Sequence, residues 1–201
     1  MCLGVFVFPH TPKMINLVLA SQSPRRKELL AILGIPFSVE PSSIDEVPAV
    51  GEKPEEFAAR VAREKGMEVA SRVSHSVILS ADTVVTLDSE ILGKPAGEQD
   101  AVRMLKTLSG RDHWVYTAVC VVNQVKEETL EGMDRTRVWF NPLDETQILD
   151  YVRRENVLDK AGAYAIQGYA GIFIPKVEGN FFNVMGLPLP LVYELLCRTL
   201  S

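Results

Sequence analysis

Hydrophobic positions along this chain switch between two periods. Ile15, Leu17, Val18 and Leu19 are strand formers in a short apolar run. The run breaks at Ser21-Gln22-Ser23-Pro24-Arg25-Arg26, and Leu29, Leu30, Ile32 and Leu33 then recur at helical spacing up to Gly34 and Pro36. Ser23 suits an N-cap and Pro24 the first helical position. Residues 37–40 read as a second short strand. Pro54, Glu55 and Glu56 open a helix whose apolar stripe is Phe57, Ala58, Val61, Ala62 and Val69. Residues 77–87 form a strong strand, Asp88-Ser89 a tight turn and 90–92 a short return. A helix over 101–108, capped by Gly110, precedes a long strand over 113–125 and its antiparallel partner over 129–140. Residues 144–154 read as an amphipathic helix, 172–177 as another strand and 178–188 as a loop. A last helix carries Val192, Leu195 and Leu196. Alternating strands and helices, interrupted by a long antiparallel pair, predict an α/β (α+β mixed) fold: a mixed sheet covered by helices, with clefts where loops gather.

Several residues break this pattern. Arg25 and Arg26 stand in the first turn of a helix, where each cation opposes the dipole by about 0.3–1 kcal/mol unless an anion sits among them. A strand-to-helix turn with Ser21, Ser23, free backbone N–H groups and two guanidinium forks is well built for phosphate, although two solvated arginines beside an ordinary cap would read the same way. Lys65 lies within the apolar stripe of its helix, where it must snorkel or meet an anion. Asp82 sits inside the 77–87 strand between Ala81 and Thr83, and a buried aspartate needs a partner. The following hairpin is expected to bring Lys94 beside Asp82, either as a structural salt bridge or as a lysine over a phosphate next to a metal-binding or base carboxylate. His113 has no companion at metal-ligand spacing and reads as structural. The small, glycine-punctuated run from Asp159 to Gly168 suits a packed turn or the wall of a pocket.

Composition narrows the function. The 201 residues are 47% hydrophobic and 23% charged, the mix of an ordinary globular protein. A net charge of −5 argues against a nucleic-acid polymer as partner and requires local cations, or a metal ion, wherever an anion binds. Cys2, Cys120 and Cys197 are scattered and odd in number, which fits a reducing, cytoplasmic setting and neither a disulfide framework nor a zinc site. No apolar run approaches the roughly 18 residues of a membrane span. Residues 1–14 are set apart as an N-terminal extension or misassigned start, and 15–201 as one domain. The common nucleotide motifs G-x-x-x-x-G-K-[ST] and G-x-G-x-x-G are absent.

One ordered set of short motifs nevertheless resembles a known family. Leu19 to Arg26, Ile44-Asp45-Glu46, Ala81-Asp82-Thr83-Val84-Val85, Gly93-Lys94-Pro95, Leu108-Ser109-Gly110 with His113, Asp159 to Gly168 and Asn183 to Leu189 are similar to the Maf-like nucleoside triphosphate pyrophosphatases. The resemblance implies a Maf/ITPase-like elongated mixed sheet flanked by helices, with two lobes around a central cleft, and a homodimer. It also implies hydrolysis of a nucleoside triphosphate to the monophosphate and pyrophosphate with a divalent cation, Mg²⁺ or Mn²⁺. The 159–168 run resembles the subfamily acting on dTTP and UTP, with modified pyrimidine nucleotides as further candidates. A nucleotide-binding regulator of cell division is the alternative. By the same resemblance Asp82 is the proton acceptor, and Arg25, Thr83 and Gln167 are specificity positions. Chemistry then assigns Ser21, Ser23, Arg25 and Arg26 to the triphosphate, Asp82 and Glu46 to the metal or a water, and Lys65 and Lys94 to charge neutralisation. Two departures stand out: Ser80 replaces the usual glycine, and Gly66 follows Lys65 where alanine is common.

Overall fold

The computed structural model describes residues 16–200. The N-terminal extension expected over residues 1–14 lies outside them. The strands are β1 (Leu17–Leu19), β2 (Phe37–Val39), β3 (Val77–Leu87), β4 (Glu90–Leu92), β5 (Asp112–Asn123), β6 (Glu128–Trp139) and β7 (Lys176–Glu178). The helices are α1 (Pro24–Ala31), α2 (Pro54–Ala70), α3 (Glu98–Leu108), α4 (Glu145–Arg154), α5 (Phe181–Met185) and α6 (Leu189–Leu200). All seven strands join one mixed sheet, ordered β2-β1-β3-β5-β6-β7 with β4 also on β3. β1 is parallel to β2 and β3, and the β3–β5–β6–β7 run is antiparallel.

Strand lengths explain where the sheet opens. One edge of β3 is paired with β5 throughout Val77 to Thr86. On the other edge β1 covers residues 77–79 and β4 covers 85–87. Residues 80–84 therefore face a gap between two very short strands. Because successive side chains of a strand point to opposite faces, Asp82 faces the α2 side and Thr83 the other, and both flank the same gap.

The core divides at that level. On the α2 face, Phe57, Ala58, Val61, Ala62 and Val69 pack on Val18, Ile78, Val84 and Cys120. On the opposite face Leu29 and Leu30 of α1 and Val192, Leu195 and Leu196 of α6 cover Leu17, Leu79 and Val121. Farther along, α3, α4 and the 161–173 segment bury Val85, Leu87 and Val115. Between the last two clusters runs a polar layer: the Thr83 and Thr117 hydroxyls lie 3.0 Å apart, and Thr117 donates to the Asn183 carbonyl at 2.9 Å. The result is two lobes on a continuous sheet.

Two expectations change. The apolar run expected as a strand over 172–177 begins in a 3₁₀ turn, Tyr169–Phe173, because Phe173 is needed against Tyr151 (ring centroids 5.7 Å apart), and pairing with β6 starts at Lys176. The loop expected over 178–188 contains α5, capped by the Asn180 side chain, which accepts from the Phe182 amide at 2.9 Å.

Candidate active site

A cleft of about 500 Å³ opens at the gap beside β3, within the range of small-ligand sites. Ser21, Ser23, Arg25, Arg26 and Glu46 line it, as do Lys65, Asp82, Thr83, Lys94 and Gln167, so the ten residues singled out in the sequence meet in one place. Among the described residues, five cationic side chains and three carboxylates line this cleft, a positive locus in an acidic protein.

The entry turn is built as its sequence predicts. β1 ends at Leu19, Ser21 Oγ accepts the Ser23 amide at 3.1 Å, and Ser23 caps α1 by accepting from the Arg26 amide at 3.5 Å. The two arginines then diverge. Arg25 reaches Asp159 at 3.2 Å, across the cleft mouth. Arg26 donates from Nε to the Gly186 carbonyl at 2.8 Å and from Nη2 to Thr83 Oγ1 at 3.0 Å. Gly186 adopts φ +105° to end α5, a conformation that favours glycine, and so aims its carbonyl at Arg26. With five N–H donors on a guanidinium and two engaged here, Arg26 keeps donors for a ligand.

On the other face of β3, Lys65 is 7% exposed and Asp82 4%. Lys65 Nζ lies 2.7 Å from Asp82 Oδ1 and 2.7 Å from Glu46 Oε1. The lysine in the apolar stripe thus bridges two carboxylates rather than snorkelling. Lys94, expected beside Asp82, pairs instead with Glu46, at 3.6 Å, because β4 returns along β3 only over 85–87 before the chain turns away. Burial pushes the Asp82 carboxyl above its ordinary pKa and outweighs the opposing pull of Lys65 and Arg26. Burial pushes Glu46 in the same direction, but Lys65, Lys94 and Arg26 together prevail and hold it below the usual carboxylate range. Two neighbouring acids are thereby driven apart in proton affinity.

The departures noted at residues 66 and 80 are neighbours in space. A Cβ on Gly66 would come within 2.8 Å of Ser80 Oγ, which is fully buried and donates to the Ala62 carbonyl at 2.7 Å. The serine hydroxyl occupies the room a side chain at 66 would need.

The far wall is the 159–168 run. Gln167 is exposed at its rim. Behind it Tyr151 Oη accepts the Ala165 amide at 3.2 Å, and Tyr164 Oη shares a 2.7 Å hydrogen bond with His113 Nε2. His113 is buried without a partner on Nδ1, and burial lowers its pKa to about 4, so the ring is neutral. Asp159 and the Gly186 carbonyl also belong to the site. Both lie in stretches that carried the family resemblance, but neither has a local pattern that marks it as an arginine partner.

No group of three or more His, Cys, Asp or Glu side chains is positioned to hold a metal among the described residues. Glu46 and Asp82 are nevertheless hard oxygen donors, and Mg²⁺ is ordinarily held by one or two carboxylates plus substrate phosphates rather than by an all-protein cage. The pair fits a cation that arrives with a polyphosphate. No helix among the described residues is long and apolar enough to cross a membrane.

The family model described as Maf-like protein matches residues 16–199. The dTTP/UTP pyrophosphatase of Syntrophomonas wolfei subsp. wolfei is 45% identical over 180 residues, covering 90% of this chain and 95% of that protein. The dTTP/UTP pyrophosphatase of Clostridioides difficile is 42% identical over 187 residues, covering 93% and 96% respectively. Among solved structures, the Staphylococcus aureus Ham1 protein shares the fold, with a TM-score of 0.52 at 13% identity, covering 90% of this chain and 97% of that one. A match along almost the whole chain, together with the motifs that meet in the cleft, makes this protein a member of the Maf-like family.

Proposed function

We infer that this chain is a nucleoside triphosphate pyrophosphatase that hydrolyses dTTP and UTP to the monophosphate and pyrophosphate. The observation that carries this reading is the buried Asp82–Lys65–Glu46 cluster opening into a cation-lined cleft. It is supported by relatives named for that activity whose similarity spans nearly the whole length of both chains.

The residues divide the work by position. Ser21, Ser23 and the α1 N-terminus, with Arg25 and Arg26, bind the triphosphate. Asp82 accepts the proton of the water that attacks the α-phosphorus. Lys65 holds Asp82 in place and, with Lys94, stabilises the negative charge that builds on the phosphoryl oxygens. Glu46 and Asp82 would hold the divalent cation, which when bound supplies further neutralisation of those oxygens. Gln167, at the rim of the cleft, offers an amide donor and acceptor to the edge of a pyrimidine base, with Thr83 and Arg25 as the other specificity positions.

The test is product analysis in H₂¹⁸O with purified protein and dTTP. The expected result is dTMP plus pyrophosphate, with the label in dTMP. Release of inorganic phosphate, label in pyrophosphate, or equal rates on all nucleoside triphosphates would refute this reading.

A further inference from the structure

Glu46 reaches the cleft from a stretch, residues 40–53, that contains no helix or strand. A carboxylate on irregular chain needs something to hold it, and α2 and the turn that follows it supply the fastenings. At one end Arg72 Nη2 donates to the Pro41 carbonyl at 2.7 Å. At the other, Arg60 grips the loop twice. Its Nε and Nη2 bind the two oxygens of Glu52 at 2.7 and 2.8 Å, a bidentate fork, while Nη2 also donates to the Val47 carbonyl at 3.1 Å. Glu52 in turn accepts the Ala49 amide at 2.8 Å. The guanidinium is kept in place by Glu64 one turn along α2, at 3.1 Å, and by the Phe57 ring, 5.4 Å to its centroid. The Val47 carbonyl immediately follows Glu46, so Arg60 fixes the backbone from which the Glu46 carboxylate extends to Lys65 and Lys94.

We propose that Arg60 is a positioning residue: clamped on Glu52 and the Val47 carbonyl, it sets the loop so that Glu46 stands between Lys65 and Lys94. The inference rests on the functional reading of Glu46 given above. Arg60 itself does not line the cleft and touches no reacting atom. The Arg60 hydrogen bonds and the Ala49 amide hold the Glu52 carboxyl down at about 2, so it is ionised under assay conditions. An ordinary exposed ion pair contributes little and would leave the rate alone. A positioning role moves it, since displacement of a functional group by about 1 Å costs on the order of a hundredfold.

The experiment is a double-mutant cycle on dTTP turnover with R60A, E46Q and R60A/E46Q, together with R60K and E52Q. R60A and E52Q are expected to lower kcat by about tenfold to a hundredfold with the fold intact. R60K recovers part of the loss, since one ammonium cannot span both Glu52 oxygens and the Val47 carbonyl. In the E46Q background, R60A is expected to cost no more than about twofold, because the group it positions is already disabled. Backbone amides of residues 44–52 should exchange hydrogen faster in R60A. An R60A loss of equal size with and without Glu46, or an unchanged kcat in both R60A and E52Q, would overturn the proposal. Full activity of E46Q overturns the reading of Glu46 instead, and the exchange of the 44–52 amides still decides whether Arg60 fastens the loop: unchanged exchange in R60A would overturn that too.

Discussion

Exchanging the pair at positions 66 and 80 tests how α2 and β3 are held together around Lys65 and Asp82. Gly66→Ala on its own gains about 1 kcal/mol of helix propensity. It also drives a Cβ to 2.8 Å from Ser80 Oγ, in a fully buried site with Val122 Cγ2 at 3.3 Å on another side. Relief requires the hydroxyl to leave the Ala62 carbonyl, costing about 1–3 kcal/mol, or helix and strand to separate, at a similar overpacking cost of about 1–3 kcal/mol. The expected net loss is about 1 kcal/mol, or a Tm lower by about 2–4 °C for a chain of this size. Ser80→Gly loses a buried hydrogen bond and places glycine in a strand, for about 1–2 kcal/mol. In the double variant the new methyl takes the space the hydroxyl leaves, so the two losses should cancel rather than add, with a coupling of about 2 kcal/mol or more. Urea unfolding of the four proteins measures this directly. Because Lys65 adjoins Gly66 and Asp82 is two residues from Ser80, kcat should fall in Gly66→Ala and return in the double variant. Losses that sum to within about 0.5 kcal/mol would refute the compensation.

Other outcomes follow from the site. His113 is neutral in the folded protein down to about pH 4 but titrates near 6.5 when unfolded. The unfolded chain therefore binds the extra proton between those values, and stability falls as pH drops through that window, by on the order of 3 kcal/mol from this residue. A Tm series from pH 7 to 4 should show a shallower decline in His113→Gln than in the wild type, and parallel slopes would contradict the assignment. Gln167→Ala is expected to weaken base discrimination with little change in stability, since the side chain is exposed; an unchanged UTP-to-CTP preference would remove Gln167 from recognition.

How much of this was legible in the sequence depends on the range over which each feature is determined. α2, β3 and the β5–β6 pair are long and strongly patterned, and the mixed sheet follows from them. Residues 172–177 read as a strand in the sequence because an apolar run does not say whether its side chains serve a strand or a turn, and Phe173 is claimed by Tyr151. α5 is five residues long, too short to show a period. In the cleft, Lys65 betrayed itself as a cation in an apolar stripe, and Asp82 as an acid in a strand. Their third partner was less visible: Glu46 comes from a patternless loop, and Arg60, which fastens that loop, looks like any exposed arginine on a helix. The register of β4 on β3, which sends Lys94 to Glu46 rather than Asp82, is a tertiary outcome that local residues do not encode.

The proposed role of Asp82, buried against Lys65, is that of the base in a dTTP/UTP pyrophosphatase. Its most direct test is kcat of Asp82→Asn on dTTP, a nearly isosteric change that leaves Lys65 its contact with Glu46. The expected result is a folded protein, with turnover reduced by about a hundredfold to ten-thousandfold. A variant that still hydrolyses dTTP within a few-fold of the wild-type rate would contradict it.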